Sequence, residues 1–497
     1  MKSLIVFIYV LANLGIGYWA MRKTKNVSDF FLGGRNIGPW MSALAYGTTY
    51  FSAVLFVGYA GRLGWGFGLG TMAIVIGNVV VGSFLAWAVL GKRTREMTTR
   101  LGALTMPEFL ESRYNSRPLK TAGALLIFCM LVPYSASVYM GLSYLFGVNF
   151  GWSYTTSLAS LAILTGLYII LGGYFALTIT DFVRGIIELF GVIVMVIFLT
   201  GKHGGLIVAT KALANPKFMP GIVKPVELAN GMAVPGWLIL ASLVLVTSLG
   251  PWGMPQMVQK FYSIKDVTDI KRTMWVASFF ALFIAFGAYY TGALTHLFYA
   301  KPPVEILMAN GKPDLDQLMP HFLVTETPEW VAIVILLLIF SASMSSLSSL
   351  VLVAASAIVI DLVGGKRIEG KQHSMTLMRV ACGVFVALSL YVAMNKFDFI
   401  VNLMVMSWGA LAGSFLAPFV YGLFWRRANK TGATVSFFTG LGLAICLALW
   451  LGKPGVPIAG AVAMVVPLIV MPIVTLLSPA CDSKIIDKAF GPESASV

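Results

Sequence analysis

Long apolar segments, separated by short polar connections, make up most of this chain of 497 residues. About 20 residues of helix cross the hydrocarbon core of a bilayer, so each apolar run of roughly that length predicts a membrane span. Thirteen such segments are present, at residues 3–21, 37–61, 66–91, 121–148, 153–171, 176–201, 235–260, 275–299, 328–361, 376–395, 398–425, 432–452 and 456–478. The first segment lacks the small-residue cleavage site of a signal peptide. The sequence therefore predicts an all-α integral membrane protein.

Basic residues are concentrated in every second connection. If all thirteen segments span, 24 of the 35 Lys and Arg residues fall on one side and 10 on the other. The richer side includes the connections 22–35, 92–120 and 260–272. The positive-inside rule then predicts a plasma-membrane protein with its amino terminus outside and its carboxyl terminus in the cytoplasm. The net charge of +15 is thus explained by orientation, and it does not indicate a nucleic-acid partner.

A row of hydroxyl groups lies within the apolar segment 328–361. Ala342, Ser345, Ser346 and Ser349 share one helical face, and Ser348 lies beside them. Hydroxyls gain nothing from contact with lipid, so this stripe is expected to face the protein interior. Two interpretations remain open at this point: the hydroxyls coordinate a small hard cation, or the serines simply allow close helix packing.

Two other segments carry residues that interrupt a helix. Residues 45–53 contain a glycine, two threonines and a serine, which weaken a continuous helix. Residues 247–255 contain two prolines and two glycines, which indicate the stronger break. Freed backbone carbonyls at such points can bind an ion or solute, although an ordinary helix with a packing glycine is the alternative for 45–53.

The two interrupted segments are the second and the seventh, five apart. Two five-helix halves of opposite topology, each beginning with a broken helix, form the inverted repeat of one class of transporters. The sequence predicts a single transmembrane domain over 1–479. Its parts are an extra helix at 3–21, a first repeat over 37–201, a second repeat over 235–425, two extra helices at 432–478 and a cytoplasmic tail over 480–497.

Asp181 is an ionisable residue within a predicted span. Such a group is costly in hydrocarbon unless it is paired or solvated. Arg184 and Glu188 follow it at i+3 and i+7, so an ion pair of purely structural importance is one explanation. The other is that Asp181 faces the hydroxyl stripe and helps to hold a second cation.

Four motifs, in order along the chain, resemble those of the sodium:solute symporter family. They are Leu32-Gly-Gly-Arg with Gly38-Pro-Trp40, the Gly-Gly-Tyr174 segment that precedes Thr180-Asp181, the stripe at 342–349, and the segment 422–433. The likeness extends from about residue 3 to 478. It implies a LeuT-like fold with a ten-helix core, and sodium-driven uptake of a small solute by alternating access.

The resemblance also implies ligands for the co-transported sodium ion, which would be the only cofactor. The principal site corresponds to the backbone carbonyls of Gly47, Tyr50 and Ala342 and the hydroxyls of Ser345 and Ser346. Gly47 stands where alanine is more usual, which hardly matters if only its carbonyl acts. A second sodium site, present in some members, corresponds to Ser345, Ser348, Ser349 and Asp181.

The solute site is less defined by the resemblance. Ala53, Thr247 and Pro251 stand where proline transporters carry aromatic residues, and the arginine of sialic acid transporters is missing from the fourth span. The segment around Thr48-Thr49-Tyr50 is closer to the pantothenate and monocarboxylate branch, which predicts a small carboxylate. Tyr134 either covers this pocket or packs as an ordinary core residue. The candidate pocket is lined by Thr49, Phe51, Ser52, Tyr134, Thr247, Pro251 and Trp252.

Rival functions have weaker support in the sequence. A proton-coupled carrier that uses Asp181 is the main alternative. An enzyme is not indicated, because no His, Asp and Glu residues converge, and the four scattered cysteines suggest neither a disulfide framework nor a metal site. A channel is not indicated either, since no carbonyl filter or ring of charges is evident. One copy of the chain in a lipid bilayer is expected to suffice for transport.

Overall fold

The computed structural model describes residues 2–21, 31–308, 310–364 and 372–491, and most of them are helical. The helices are α1 Lys2–Met21, α2 Pro39–Tyr50, α3 Ala60–Phe67, α4 Met72–Gly77, α5 Lys92–Leu101, α6 Met106–Tyr114, α7 Arg117–Phe150, α8 Tyr154–Gly201, α9 Leu206–Leu213, α10 Pro220–Val223, α11 Gly236–Gly253, α12 Pro255–Ser263, α13 Ile270–Phe298, α14 Leu318–Thr325, α15 Glu329–Ser356, α16 Gln372–Asn395, α17 Ile400–Phe424, α18 Lys430–Leu476 and α19 Ser483–Phe490. Stretches of π-helix at Val54–Tyr59, Asn78–Gly91 and Ala357–Leu362 continue neighbouring α-helices.

The predicted apolar segments correspond to helices, but some single helices include two of the predicted segments. Within the described residues, nine helices are long and apolar enough to cross a membrane. Helix α8 is continuous over two predicted segments, and so is α18 except at Gly452, whose positive φ of 69° divides it. At the first junction Gly172 and Gly173 weaken the helix without ending it, whereas at the second Gly452 adopts the left-handed φ that glycine accepts readily.

The first predicted interruption is present. Helix α2 ends at Tyr50, Phe51 has an extended backbone (φ −111°, ψ 123°), and helical geometry resumes at Ala53. The alternative of an ordinary continuous helix is therefore wrong.

The second interruption is smaller than the sequence suggests. Pro251 lies inside the last turn of α11, and only Met254 is extended (φ −84°, ψ 122°) before Pro255 begins α12. Proline is tolerated in the first turn of a helix, because its missing N–H has no partner there in any case. The seventh segment is thus two half-helices joined at one residue.

Helix α15 lies at the centre of the bundle. Of its most apolar stretch, 89% of the residues are buried, a share matched by α17. Helices α2, α7 and α8 pack around α15. Seven serines of α15 are buried, with at most 1% of each exposed: Ser341, Ser343, Ser345, Ser346, Ser348, Ser349 and Ser356. The predicted inward orientation of the hydroxyl stripe is correct.

Small elements that the sequence did not indicate lie outside the bundle core. Strands β1 Pro225–Glu227 and β2 Ala233–Pro235 form an antiparallel hairpin before α11. In the predicted tail, α19 is held by Arg100, whose guanidinium donates to the carbonyl of Phe490 at 3.1 Å. These short segments depend on tertiary contacts, since isolated short helices and hairpins are marginal in water.

Close helix packing at two glycines leads to a prediction about stability. A Cβ atom at Gly292 of α13 would overlap the carbonyl oxygen of Ala60 in α3, and Gly64 faces Gly292 in the same way. Because backbone atoms cannot rotate aside, Gly292→Ala should lower the free energy of unfolding by roughly 1–3 kcal/mol. The measurement is thermal unfolding of the purified protein in detergent.

Gly442→Ala is the matched control for that substitution. Gly442 lies in α18, and a Cβ there would have no neighbour within 4 Å. Its stability should stay within about 1 kcal/mol of the parent, since alanine has the better helix propensity. Equal effects at positions 292 and 442 would contradict the close approach of α3 and α13.

Candidate functional site

The hydroxyl stripe of α15 meets the broken end of α2. The Ser346 hydroxyl lies 3.2 Å from the carbonyl oxygen of Thr48 and 3.2 Å from that of Thr49. All three residues are buried, with at most 2% exposed. Helix α15 therefore brings a hydroxyl to the carbonyl end of a half-helix, deep in the bundle.

The carbonyls at this break have lost their usual helical donors. In a continuous helix, the N–H groups of Ala53 and Val54 would donate to the carbonyls of Thr49 and Tyr50. Here the Ala53 N–H donates to the Ser343 hydroxyl at 3.1 Å, and the Val54 N–H donates to the Ser52 hydroxyl at 3.2 Å. The freed carbonyls carry the negative end of the α2 dipole, which favours a cation.

Gly47 has a packing role that the sequence reasoning missed. Its carbonyl accepts the Phe51 N–H at 3.1 Å, and a Cβ atom at this position would overlap the Phe280 ring of α13. The expectation about Gly47 concerned its carbonyl as a ligand and stays a prediction; for packing, alanine here would require the Phe280 ring to shift. A carbonyl oxygen has two lone pairs, so the hydrogen bond from Phe51 leaves one acceptor position on Gly47.

Asp181 of α8 faces the stripe and is also paired with a cation. Its Oδ1 accepts a hydrogen bond from the Ser345 hydroxyl at 2.6 Å and lies 3.7 Å from Nη1 of Arg184. Nη2 of Arg184 donates to Asn13 at 2.7 Å, which holds the guanidinium against α1. Both explanations offered for Asp181 thus describe real contacts: the ion pair exists, and the carboxylate reaches the stripe.

A lysine that was assigned to a cytoplasmic connection belongs to the same cluster. Lys260 of α12 is fully buried, with Nζ 3.9 Å from Oδ2 of Asp181 and 3.3 Å from the hydroxyl of Ser349. The sequence interpretation of Lys260 as a surface charge is therefore wrong. The half-helix α12, which follows the break at Met254, contains polar residues and is nevertheless buried. Hydropathy alone could not distinguish it from the connection that follows.

The two remaining serines of the stripe differ. Ser349 also contacts the Thr49 hydroxyl at 3.0 Å, so it connects the second cluster to the break. Ser348 instead donates to the Met344 carbonyl of its own helix at 2.6 Å. The structure thus brings together Ser345, Ser349 and Asp181, whereas the Ser348 hydroxyl is turned back onto α15.

Aromatic rings gather beside the two breaks. The Tyr50 hydroxyl donates to the Thr247 carbonyl at 2.6 Å, and the Tyr50 ring stacks on Phe51 with centroids 4.4 Å apart. Trp408 of α17 lies 6.1 Å from Tyr50 and 5.9 Å from Tyr134, measured between ring centroids. Each of these aromatic residues is at most 4% exposed, so the centre is closed to solvent.

Two residues predicted for the pocket, Trp252 and Pro251, have other contacts or positions, and Trp408 packs beside the break although the sequence did not single it out. The Trp252 indole N–H donates to the Val81 carbonyl at 2.9 Å, so its polar atom is bound to the neighbouring helical segment. Pro251 is buried within α11 rather than at the break. Trp408 was not identified, because one tryptophan in an apolar segment gives no periodic signal; its packing against Gly250 becomes visible only in three dimensions.

A polar contact, called here the latch, joins the connection before α14 to α3 and to the start of α17. Asp316, in the connection before α14, lies 3.4 Å from the Arg62 guanidinium and accepts the Ile400 N–H at 3.0 Å. Burial raises the pKa of Asp316, and the facing Arg62 opposes that shift. As the pH falls through this raised pKa, the carboxylate takes up a proton and the ion pair is lost.

Comparison with solved structures identifies the fold. A substrate-bound, outward-open Na⁺-coupled sialic acid symporter superposes with a TM-score of 0.77 at 19% identity, over 97% of this chain and 98% of that one. Inward-facing Mhp1 matches with a TM-score of 0.51 at 11% identity, over 91% and 94%. The chain therefore has the LeuT-like fold of secondary transporters.

Sequence comparison shows the family to which this chain belongs. The model of the "Sodium:solute symporter family" matches residues 30–440, and the chain belongs to this family. Among its relatives, the osmoregulated proline transporter OpuE of Bacillus subtilis is 28% identical over 89% of this chain and 87% of the relative. The sodium/pantothenate symporter of Haemophilus influenzae is 27% identical over 89% of each chain. The predicted class, a sodium-coupled solute symporter of the plasma membrane and not an enzyme, is confirmed.

The contact between Ser346 and the freed carbonyls leads to a prediction. Ser346→Ala removes one oxygen from the candidate sodium site, and losing one such contact typically costs about 1–3 kcal/mol. The sodium concentration for half-maximal uptake should rise by roughly tenfold, since 1.4 kcal/mol corresponds to that factor. The measurement is initial uptake rate against sodium concentration in proteoliposomes.

Ser356→Ala provides the control on the same helix. Among the described residues, the Ser356 hydroxyl donates to the Val353 carbonyl of its own helix, at 2.7 Å. Its sodium dependence should match that of the unmodified protein. If Ser346→Ala leaves the half-maximal concentration unchanged, Ser346 is not a sodium ligand.

Proposed function

We propose that this symporter imports a small organic carboxylate together with sodium, by alternating access. The principal sodium site is formed by the carbonyls of Gly47, Tyr50 and Ala342 and the hydroxyls of Ser345 and Ser346. The observation that supports it best is the Ser346 hydroxyl, 3.2 Å from two carbonyls at the end of α2. The carbonyls of Thr48 and Thr49 are further candidate ligands at the same break.

The chemistry of these groups suits a small hard cation. Hydroxyl and carbonyl oxygens can replace the water of a sodium ion, and unwound backbone in a membrane is tolerated where it lines such a site. An ion held there ties α2 to α15. Because a ligand shifts a conformational equilibrium only through its affinity difference between states, the ion favours the state in which these two helices are close.

Several features favour a carboxylate as the solute. Half-helix amino termini begin at Ala53 and at Pro255, and the dipole at such ends favours an anion. In the closed state the Ala53 and Val54 N–H groups donate to serine hydroxyls, which a carboxylate would have to replace. Aromatic rings of Tyr50, Phe51 and Trp408 provide an apolar wall beside them. The names of the relatives refer to proline and pantothenate, both of which carry a carboxylate. Thr49, Ser52, Tyr134 and Thr247 are the polar pocket residues we retain.

The proposed cycle uses the two five-helix repeats over 37–201 and 235–425. We place the amino terminus outside, which puts the latch of Arg62 and Asp316 on the outer face. With this latch formed and the aromatic centre buried, the structure corresponds to a closed state in this scheme. Loss of the latch opens the path from the outer face to the solute site. Separation of α12 from α8 and α15 opens the path from the site to the cytoplasm.

The direct test is uptake by purified protein in liposomes. A labelled panel of proline, pantothenate, lactate, pyruvate, propionate, glucose and sialic acid is presented under an inward sodium gradient, under a pH gradient without sodium, and with neither. We expect concentrative uptake of at least one carboxylate under the sodium gradient alone. Accumulation driven by the pH gradient without sodium would contradict sodium coupling, and exclusive uptake of glucose would contradict the carboxylate assignment.

Trp408 leads to a second prediction about the solute site. Trp408→Ala removes the ring that contacts Tyr50 and Tyr134, and an aromatic contact of this kind contributes about 0.5–1.5 kcal/mol beyond its buried area. The KM for the transported carboxylate should therefore rise at least several-fold, with little change in half-maximal sodium. Trp330→Ala, at a residue of α15 that is 56% exposed, should leave both values unchanged. If the two variants have the same KM, Trp408 does not line the solute site.

A further inference from the structure

The position proposed for a second sodium ion already faces a positive charge of the protein itself. The Lys260 ammonium lies 3.9 Å from Oδ2 of Asp181, and this oxygen has no hydrogen-bond partner among the described residues. The same ammonium donates to the Ser349 hydroxyl at 3.3 Å. Lys260 therefore contacts two of the groups expected to hold a second ion.

The surroundings keep this ammonium in place. Lys260 is 0% exposed, and its Nζ also lies 5.1 Å from the centre of the Tyr174 ring, where the negative face of the ring favours a cation. Tyr174 is itself held by a 2.8 Å hydrogen bond between its hydroxyl and Ser263, on the same half-helix as Lys260. The Lys260 ammonium is thus held in a defined position by its neighbours.

The charge of Asp181 is already compensated without an added ion. Nη1 of Arg184 lies 3.7 Å from its Oδ1, Nζ of Lys260 lies 3.9 Å from its Oδ2, and all three residues are buried. A sodium ion beside Asp181 would add a third positive charge next to this one carboxylate and would be repelled by the nearby ammonium. Burying an unpaired charge is strongly unfavourable.

We infer that Lys260 acts as a resident cation in place of the second sodium ion, so that one sodium ion accompanies each solute molecule. This inference depends on the proposed sodium-coupled function and specifies its stoichiometry. The ammonium joins α12, the half-helix after the second break, to Asp181 of α8 and Ser349 of α15. A second sodium ion would join α8 and α15 but would be free to leave in each cycle, whereas the lysine stays attached to α12.

The test is a measurement of coupling stoichiometry in proteoliposomes with the membrane potential held at zero. The solute gradient that stops net flux is determined for a fixed tenfold sodium gradient. One sodium ion per solute balances about a tenfold solute gradient, and two ions balance about a hundredfold one. We expect the tenfold value for the unmodified protein, and the hundredfold value would overturn the inference.

Lys260→Met tests the cause. Without the ammonium, Asp181, Ser345 and Ser349 become available to sodium, so the balancing gradient should move toward a hundredfold and the sodium dependence should become steeper. Lys260→Arg keeps the charge and should retain the tenfold value, as should Lys265→Met, an exposed lysine of the next connection. The double variant Lys260→Met with Asp181→Asn lacks both charges and should also retain it.

The outcomes separate this inference from the proposed function. Uptake that does not depend on sodium contradicts the proposed function itself. Sodium-dependent uptake with two sodium ions per solute in the unmodified protein contradicts only the role of Lys260. A folded Lys260→Met variant that still transports one sodium ion per solute contradicts it as well. Movement of a proton with each solute would also overturn it, because the ammonium is then not a fixed charge. If Lys260→Met does not fold, the inference is decided by the balancing solute gradients of the unmodified protein and of the double variant.

Discussion

Backbone carbonyls without helical donors, placed in a water-free interior, are the constraint on which the rest of this structure depends. Carbonyl groups buried in a membrane protein must be satisfied, and each one left alone costs several kcal/mol. At the end of α2, the N–H groups of Ala53 and Val54 are diverted to serine hydroxyls, and the Ser346 hydroxyl donates to the carbonyls of Thr48 and Thr49. A helix can stay broken at this depth only because α15 supplies hydroxyls beside the break. The same arrangement provides oxygen ligands for a small cation.

The charged cluster around Asp181 follows from the same constraint. An isolated carboxylate would be very unfavourable there, so Arg184, Lys260 and the Ser345 hydroxyl surround it. These groups belong to three separate helices, α8, α12 and α15. Electrostatic pairing therefore links α12, the half-helix after the second break, to α8 and α15. Hydrophobic packing around the cluster adds to this link.

Much of the fold could be predicted from the sequence, because hydropathy and helix-breaking residues act locally. Segments of about 20 apolar residues have one stable solution in a bilayer, and the glycine and threonines near Tyr50 mark the first break correctly. The inward orientation of the serine stripe followed from the cost of placing hydroxyls in lipid. The position of Lys260 could not be derived in this way, since a lysine near the end of an apolar segment is usually a surface charge. Its buried partner, Asp181, lies 79 residues earlier in the chain, and no local pattern connects the two.

The solute site shows a second limit of sequence reasoning. Phe51 was identified beside the first break and Tyr134 from the family resemblance, but Trp408 lies in a helix with no break and was not singled out, and the Trp252 indole hydrogen-bonds to the Val81 carbonyl. The most direct test of the account is equilibrium binding of ²²Na⁺ to the purified protein in the absence of solute. The account predicts saturable binding of one sodium ion per chain that is weakened in Ser346→Ala. Absence of saturable sodium binding in the unmodified protein would contradict a sodium site at the break in α2.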